Sequence, residues 1–105
     1  MTISQHKPGI KLDSEKPRLS LIVCGFPHAL EQVARVGTFG AKKYSDNGWV
    51  SAPNGQQRYT DAMLRHLIAE ARGERIDAES GMLHSAQVAW NALARLELEL
   101  RKAQK

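Results

Sequence analysis

Four uncharged polar residues, Ser80, His84, Gln87 and Asn91, recur four, three and four positions apart. At about 100° per residue, that spacing puts them on one face of a helix. Each can both donate and accept hydrogen bonds, whereas a stripe that merely faces water usually draws Lys, Glu or Arg. The pattern points to recognition of a base, a ribose or another helix. The segment before it offers Arg58, Asp61, Arg65, His66 and Glu70. Asp61 and Arg65 have the spacing of a surface salt bridge, and His66 and Glu70 share a face. His66, His84 and a carboxylate from Glu70, Asp77 or Glu79 form a candidate divalent-metal set. Zinc takes close His and carboxylate ligands; magnesium prefers carboxylates and phosphate oxygens. Lys42 and Lys43 either complement the end of a helix dipole or hold phosphates. Trp49, in a polar loop, either plugs the core or stacks on a ligand. A phosphate-cradling glycine loop with lysine is absent, and Cys24 has neither a partner base nor a nucleophile elbow. These absences exclude a P-loop and argue against covalent catalysis.

The elements that must position these residues are helices. Residues 1–18, punctuated by Pro8-Gly9 and Lys16-Pro17, form an extended arm. The apolar run 19–23 is either one short strand or a buried arm, since periodicity cannot decide at that length. Pro27 opens a first helix, in which Leu30, Val33, Ala34, Gly37, Ala41 and Tyr44 keep helical spacing. Residues 45–56 are a loop rich in turn signals. A second helix spans about 57–72, with Met63, Leu64, Leu67, Ile68 and Ala71 as its buried side and Gly73 as its C-terminal stop. A third helix spans about 80–102. Its apolar seam runs through Met82, Ala86, Ala89, Leu93, Leu96 and Leu100, and is longer than a small subunit can cover. The expectation is an all-α, three-helix compact domain over residues 1–105 whose helices pair in a homo-oligomer.

With 105 residues the chain suits one domain. Its single cysteine rules out an intrachain disulfide and fits a reducing compartment. The N-terminal sequence has no apolar signal-peptide core, and no apolar run reaches the length of a membrane span. The expected location is the cytoplasm, the host's if the protein is viral. A net charge of +4 favours anionic partners, but no basic helix is long enough to read a nucleic-acid groove.

Several segments occur together and in order: E-K-P-R-L at 15–19, T-F-G-A-K-K-Y at 38–44, N-G-W at 47–49, R-Y at 58–59, L-R-H-L at 64–67 and R-G-E-x-I-D-x-E-S-G-x-x-H at 72–84. In these the chain resembles the phage-associated family named for the N-terminal domain of dATP/dGTP diphosphohydrolases. The resemblance runs from about residue 11 to 99 and implies purine deoxynucleotide chemistry. The family's third helix tends to read H-x-x-H-A-x-x-N-A; here His84 and Asn91 match, and Gln87 replaces the second histidine. The paired acidic motifs with which all-α pyrophosphohydrolases hold Mg²⁺ are also missing. The leading expectation is therefore a nucleotide-binding protein that holds a phosphorylated purine nucleotide without turnover. A protein of this phage-like kind could sequester a cyclic nucleotide defence signal. Lys42, Lys43, Arg58 and Arg65 would hold phosphates. Tyr44 or Trp49 would stack the base, while His84, Gln87 and Asn91 would read it. The alternative is a diphosphohydrolase using Mg²⁺ or Mn²⁺ to release pyrophosphate from dATP or dGTP. His66 and Glu70 would then be catalytic, and Asp77, Glu79 and His84 would be metal ligands. A third reading is a purely structural helical oligomer.

Overall fold

The computed structural model describes residues 15–104. The helices are α1 (Ser20–Val23), α2 (Pro27–Lys43), α3 (Gly55–Ala71) and α4 (His84–Ala103), with a 3-10 turn at Gly48–Ser51. No strand occurs among the described residues, where one isolated antiparallel bridge joins Ile76 and Leu83. The all-α expectation holds. The apolar run 19–23 is a single helical turn with exposed side chains, neither strand nor buried arm. Of the expected arm, residues 1–14 lie outside the described residues, and 15–18 form no helix or strand.

Local chemistry accounts for the helix ends. Pro27 occupies the first turn of α2, where its fixed φ suits the helix and its missing N–H leaves nothing unsatisfied. Lys42 and Lys43 stand in the last turn, next to the negative end of the dipole. At the end of α3, Gly73 adopts φ +95°. Its N–H donates to the Glu70 carbonyl at 2.9 Å, and the Glu74 N–H donates to the Ala69 carbonyl at 3.0 Å. This is the Schellman closure, which needs a residue without Cβ strain at that position.

The expected third helix starts four residues later than its polar spacing suggests, at His84 instead of Ser80. Residues 74–83 form a tight hairpin. The Asp77 N–H donates to the Met82 carbonyl at 2.8 Å, and the His84 N–H donates to the Arg75 carbonyl at 3.0 Å. Gly81 at φ +75° turns the chain between them. Helices α3 and α4 then run antiparallel, as shown by His66 meeting His84 and Thr60 meeting Arg95. α2 packs on α4.

The seam expected on the third helix is covered only in part: Ala86 is buried, Ala89 is half-buried, and the leucines stay exposed, as expected of a seam longer than a small subunit covers. Among the described residues, the buried side chains are Val36, Ala86 and Ala94 together with His84, Gln87 and Asn91. The leucines of the expected seam are about half exposed: Leu93 52%, Leu96 51% and Leu100 50%. The expected buried side of the second helix behaves alike, with Leu64, Leu67 and Ile68 exposed. The cause is the α3–α4 contact. α3 and α4 make the most extensive contact among the described helices, and polar side chains on the buried face of α4 find partners. Asn91 Nδ2 donates to the Gln87 carbonyl at 2.8 Å, and Arg95 Nε donates to Thr60 Oγ1 at 2.7 Å. Burial of these groups is thus offset by hydrogen bonds, and the large aliphatics turn outward. No described helix is long and apolar enough to cross a membrane.

Candidate functional site

A cleft of about 960 Å³ opens between α2, the 45–52 loop, α3 and the buried face of α4. Its floor carries Gln87 and Asn91, and its walls carry Lys43, Arg58, Arg65 and His66. Arg58 and Arg65 are two helical turns apart on α3, so both reach the same side. Asp61 stands between them and also lines the cleft. It does not pair with Arg65; the ion pairs among the described residues are elsewhere. Lys43 reaches across the mouth to Glu79, Nζ to Oε2 at 2.6 Å. That carboxylate raises the Lys43 pKa and ties α2 to the hairpin.

One wall is aromatic. Trp49, Tyr59 and Trp90 meet edge to face, with centroids 5.7–6.3 Å apart, the arrangement their quadrupoles favour. The Tyr59 hydroxyl donates to the Trp49 carbonyl at 2.7 Å, and the Arg101 guanidinium lies 5.9 Å from the Trp49 ring centroid. Trp49 is half-buried, packed against Tyr59 and Trp90, and also lines the cleft, so both of its sequence readings stand. Gly37 makes room for this wall: a Cβ there would stand 3.3 Å from Trp90 Nε1.

Deeper in, Nδ1 of His66 lies 2.8 Å from Nδ1 of His84. Asp77 completes a group whose three potential ligand atoms lie within 4.8 Å of one another. Ser80 positions this carboxylate. Its N–H and hydroxyl donate to Asp77 Oδ2 at 3.1 and 2.7 Å, and its oxygen accepts from the Met82 N–H and from Gln87 Nε2. Burial alone would raise the Asp77 pKa; the Ser80 hydrogen bonds and the two imidazoles outweigh it and hold the carboxyl below its ordinary value. Burial pushes His66 down, with Asp77 opposing and His84 and Arg65 reinforcing, so its ring is neutral at pH 7. His84 Nε2 is buried without a hydrogen bond. Glu74 Oε2 lies 3.4 Å away, close enough for attraction but outside hydrogen-bond geometry.

The structure therefore gathers Lys43, Tyr44, Trp49, Arg58, Arg65, His66, Asp77, Glu79, Gln87 and Asn91 around one cleft, with His84 buried behind His66. Lys42 and Glu70 are exposed and stand outside it. Sequence reasoning overlooked Trp90 and the aromatic role of Tyr59. Their signal was faint: Trp90 immediately precedes Asn91 in the polar stripe, and Tyr59 follows Arg58 in the R-Y pair.

The family described as dATP/dGTP diphosphohydrolase, N-terminal, matches residues 6–105. A dATP/dGTP diphosphohydrolase of Salmonella phage PMBT28 is 37% identical over 81 residues, covering 77% of this chain and 26% of that protein. The chain thus spans about a quarter of that relative's length. No solved structure matches the chain significantly.

Proposed function

The chain belongs to the dATP/dGTP diphosphohydrolase N-terminal family, and from that premise we propose that its cleft binds a phosphorylated purine nucleotide and holds it intact. The observation that carries this reading is the convergence of Arg58, Arg65 and Lys43 with an aromatic wall and an amide floor in one cleft of about 960 Å³. That volume is at the upper end of small-molecule sites, roughly 300–1,000 Å³. Arginine offers phosphate a planar fork and lysine a point charge; the amides of Gln87 and Asn91 supply base or ribose contacts. Tyr44, exposed and with Lys43 Nζ 5.5 Å from its ring centroid, or Trp49 would stack the base. A cyclic nucleotide signal of host defence is one ligand of this class.

A second reading, metal-dependent release of pyrophosphate from dATP or dGTP, is favoured by one observation: the His66–Asp77–His84 group at the cleft. These donors suit a divalent cation, which when bound would stabilise phosphoryl charge. His66 would ligate it or accept a proton from water; Mn²⁺ suits these donors, whereas Mg²⁺ would rely on the carboxylate and phosphate oxygens. The outward leucines of α3 and α4 support pairing with a second copy of the chain.

Calorimetry with linear and cyclic purine nucleotides in EDTA, followed by recovery of the ligand after denaturation, separates these readings. Binding in EDTA with intact recovery is expected. Arg65→Ala should weaken it about tenfold, the loss of one charge-assisted hydrogen bond at roughly 1.5 kcal/mol. Silence across the whole panel refutes the nucleotide reading. Pyrophosphate appearing only with Mg²⁺ or Mn²⁺ replaces holding by hydrolysis.

A further inference from the structure

We propose that His66, Asp77 and His84 form a binding site for a divalent first-row transition ion, both histidines ligating through Nδ1, and that the site selects such ions over Mg²⁺. The two Nδ1 atoms are 2.8 Å apart. Ligands bound at 2.0–2.1 Å to one metal stand about 2.9 Å apart at a right angle and about 3.4 Å apart at the tetrahedral angle. The same spacing serves a hydrogen bond between the rings; two neighbouring ligands on one ion are reached from it by about 0.1 Å of movement at a right angle and about 0.6 Å at the tetrahedral angle. The rings are inclined at 46°, so they do not stack, and they meet through their Nδ1 atoms.

Glu74 decides the tautomer of His84. A bare Nε2 lone pair facing Glu74 Oε2 at 3.4 Å would be repelled, whereas an Nε2–H is attracted. With the proton on Nε2, the lone pair of His84 is on Nδ1, directed at His66. Drawn into hydrogen-bond geometry, the Glu74 contact would become the arrangement by which a carboxylate behind a metal-binding histidine orients the ring. It also gives the buried, otherwise unpartnered Nε2 a role. Asp77 is fixed by two hydrogen bonds from Ser80, so the third ligand needs little ordering. The N-terminal dipole of α4 opposes a cation at His84, but it amounts to roughly half a charge, against the full charges of Asp77 and Glu74.

The donor set determines the class of ion. Two imidazoles and one carboxylate suit Mn²⁺ through Zn²⁺. Mg²⁺ holds to oxygen ligands and water. Three protein ligands leave coordination positions open to water or a phosphate oxygen. The proposal does not depend on the nucleotide reading, because the ligands come from the chain alone.

The test uses the chelator-stripped chain in a Cys24→Ser background, which removes the exposed thiol, without nucleotide. Titration with Co²⁺ should produce visible ligand-field bands saturating at one ion per chain. Calorimetry should give Zn²⁺ at least a tenfold lower Kd than Mg²⁺. His66→Gln, at a partly exposed position and so tolerable to the fold, should weaken Co²⁺ binding at least tenfold with circular dichroism unchanged. Glu74→Gln should weaken it about tenfold or more through His84. The proposal is overturned if the stripped chain binds neither Co²⁺ nor Zn²⁺, if Mg²⁺ binds equally well, or if His66→Gln binds Co²⁺ like the parent. Nucleotide binding in EDTA alongside any of those results leaves the nucleotide reading standing and sinks only the metal site.

Discussion

Replacing Leu96 by Glu should dissociate the chain into monomers without unfolding it. Leu93, Leu96 and Leu100 keep about half their surface exposed on α4, and Leu64, Leu67 and Ile68 do so on α3. Burying a whole leucine contributes about 1.5–3 kcal/mol, so the exposed half of each is worth roughly 1 kcal/mol. Three such side chains on each of two copies supply about 6 kcal/mol, comparable to the lower bound of the association cost, about 4–15 kcal/mol. The α4 seam alone is then close to break-even. Adding the α3 trio brings the gross gain to about 12 kcal/mol, enough for a dimer in the micromolar range once the cost is met. Glu at position 96 removes about 2 kcal/mol across the two copies, a roughly 30-fold rise in Kd. It also sets new carboxylates beside Glu97 and Glu99. Leu and Glu have nearly equal helix propensity, so the monomer should melt normally once dilution effects are matched. Sedimentation velocity over a dilution series checks this. A parent chain that is monomeric at about 100 µM, far above a micromolar Kd, refutes the reasoning; so does a Leu96→Glu chain that associates equally well.

Two further outcomes follow from the packing around the cleft. Gly55→Ala should destabilise by about 1–3 kcal/mol, read from denaturant midpoints, because its Cβ would stand 3.0 Å from Leu98 Cδ1 and 3.3 Å from Tyr59 Cε2; an unchanged midpoint refutes tight packing there. Burial raises the Tyr59 pKa, with Arg58 opposing, so the fold favours the neutral phenol. Its contribution is fully present below the unfolded value near 10 and is lost as pH rises through the folded value. In a Tyr44→Phe chain, phenolate absorbance should therefore titrate above pH 10 while Tm falls over the same range, and a midpoint below 10 contradicts the burial.

Helix existence was legible because its signals are local. Pro27 and Gly73 act through their own backbone geometry, and both stand where the helix ends require them. The start of α4 was not legible from spacing, because the Asp77–Ser80 hydrogen bonds and the left-handed Gly81 compete with helix for the same residues. Residues 19–23 were ambiguous for a different reason: one helical turn and one short strand contain the same few apolar side chains.

The inward face of α3 was misread, with Leu64, Leu67 and Ile68 standing exposed, because an apolar row marks a surface to be covered without saying what covers it. The leucine rows on α3 and α4 are exposed apolar surface, which the proposed pairing of two copies would cover. The stripe of His84, Gln87 and Asn91 marks a different surface, the floor and backing of a cleft. Residue type and spacing picked out side chains that are buried at His84, Gln87 and Asn91, yet the identity of their partners could not be read from α4. Ser80 meets Gln87 only because the hairpin folds back, and His66 meets His84 only because α3 and α4 run antiparallel. Asp77 enters the same group from the hairpin. The residues separated by most of a helix in sequence become neighbours through the turn at Gly73, so the site depends as much on that glycine as on the groups that would hold a ligand.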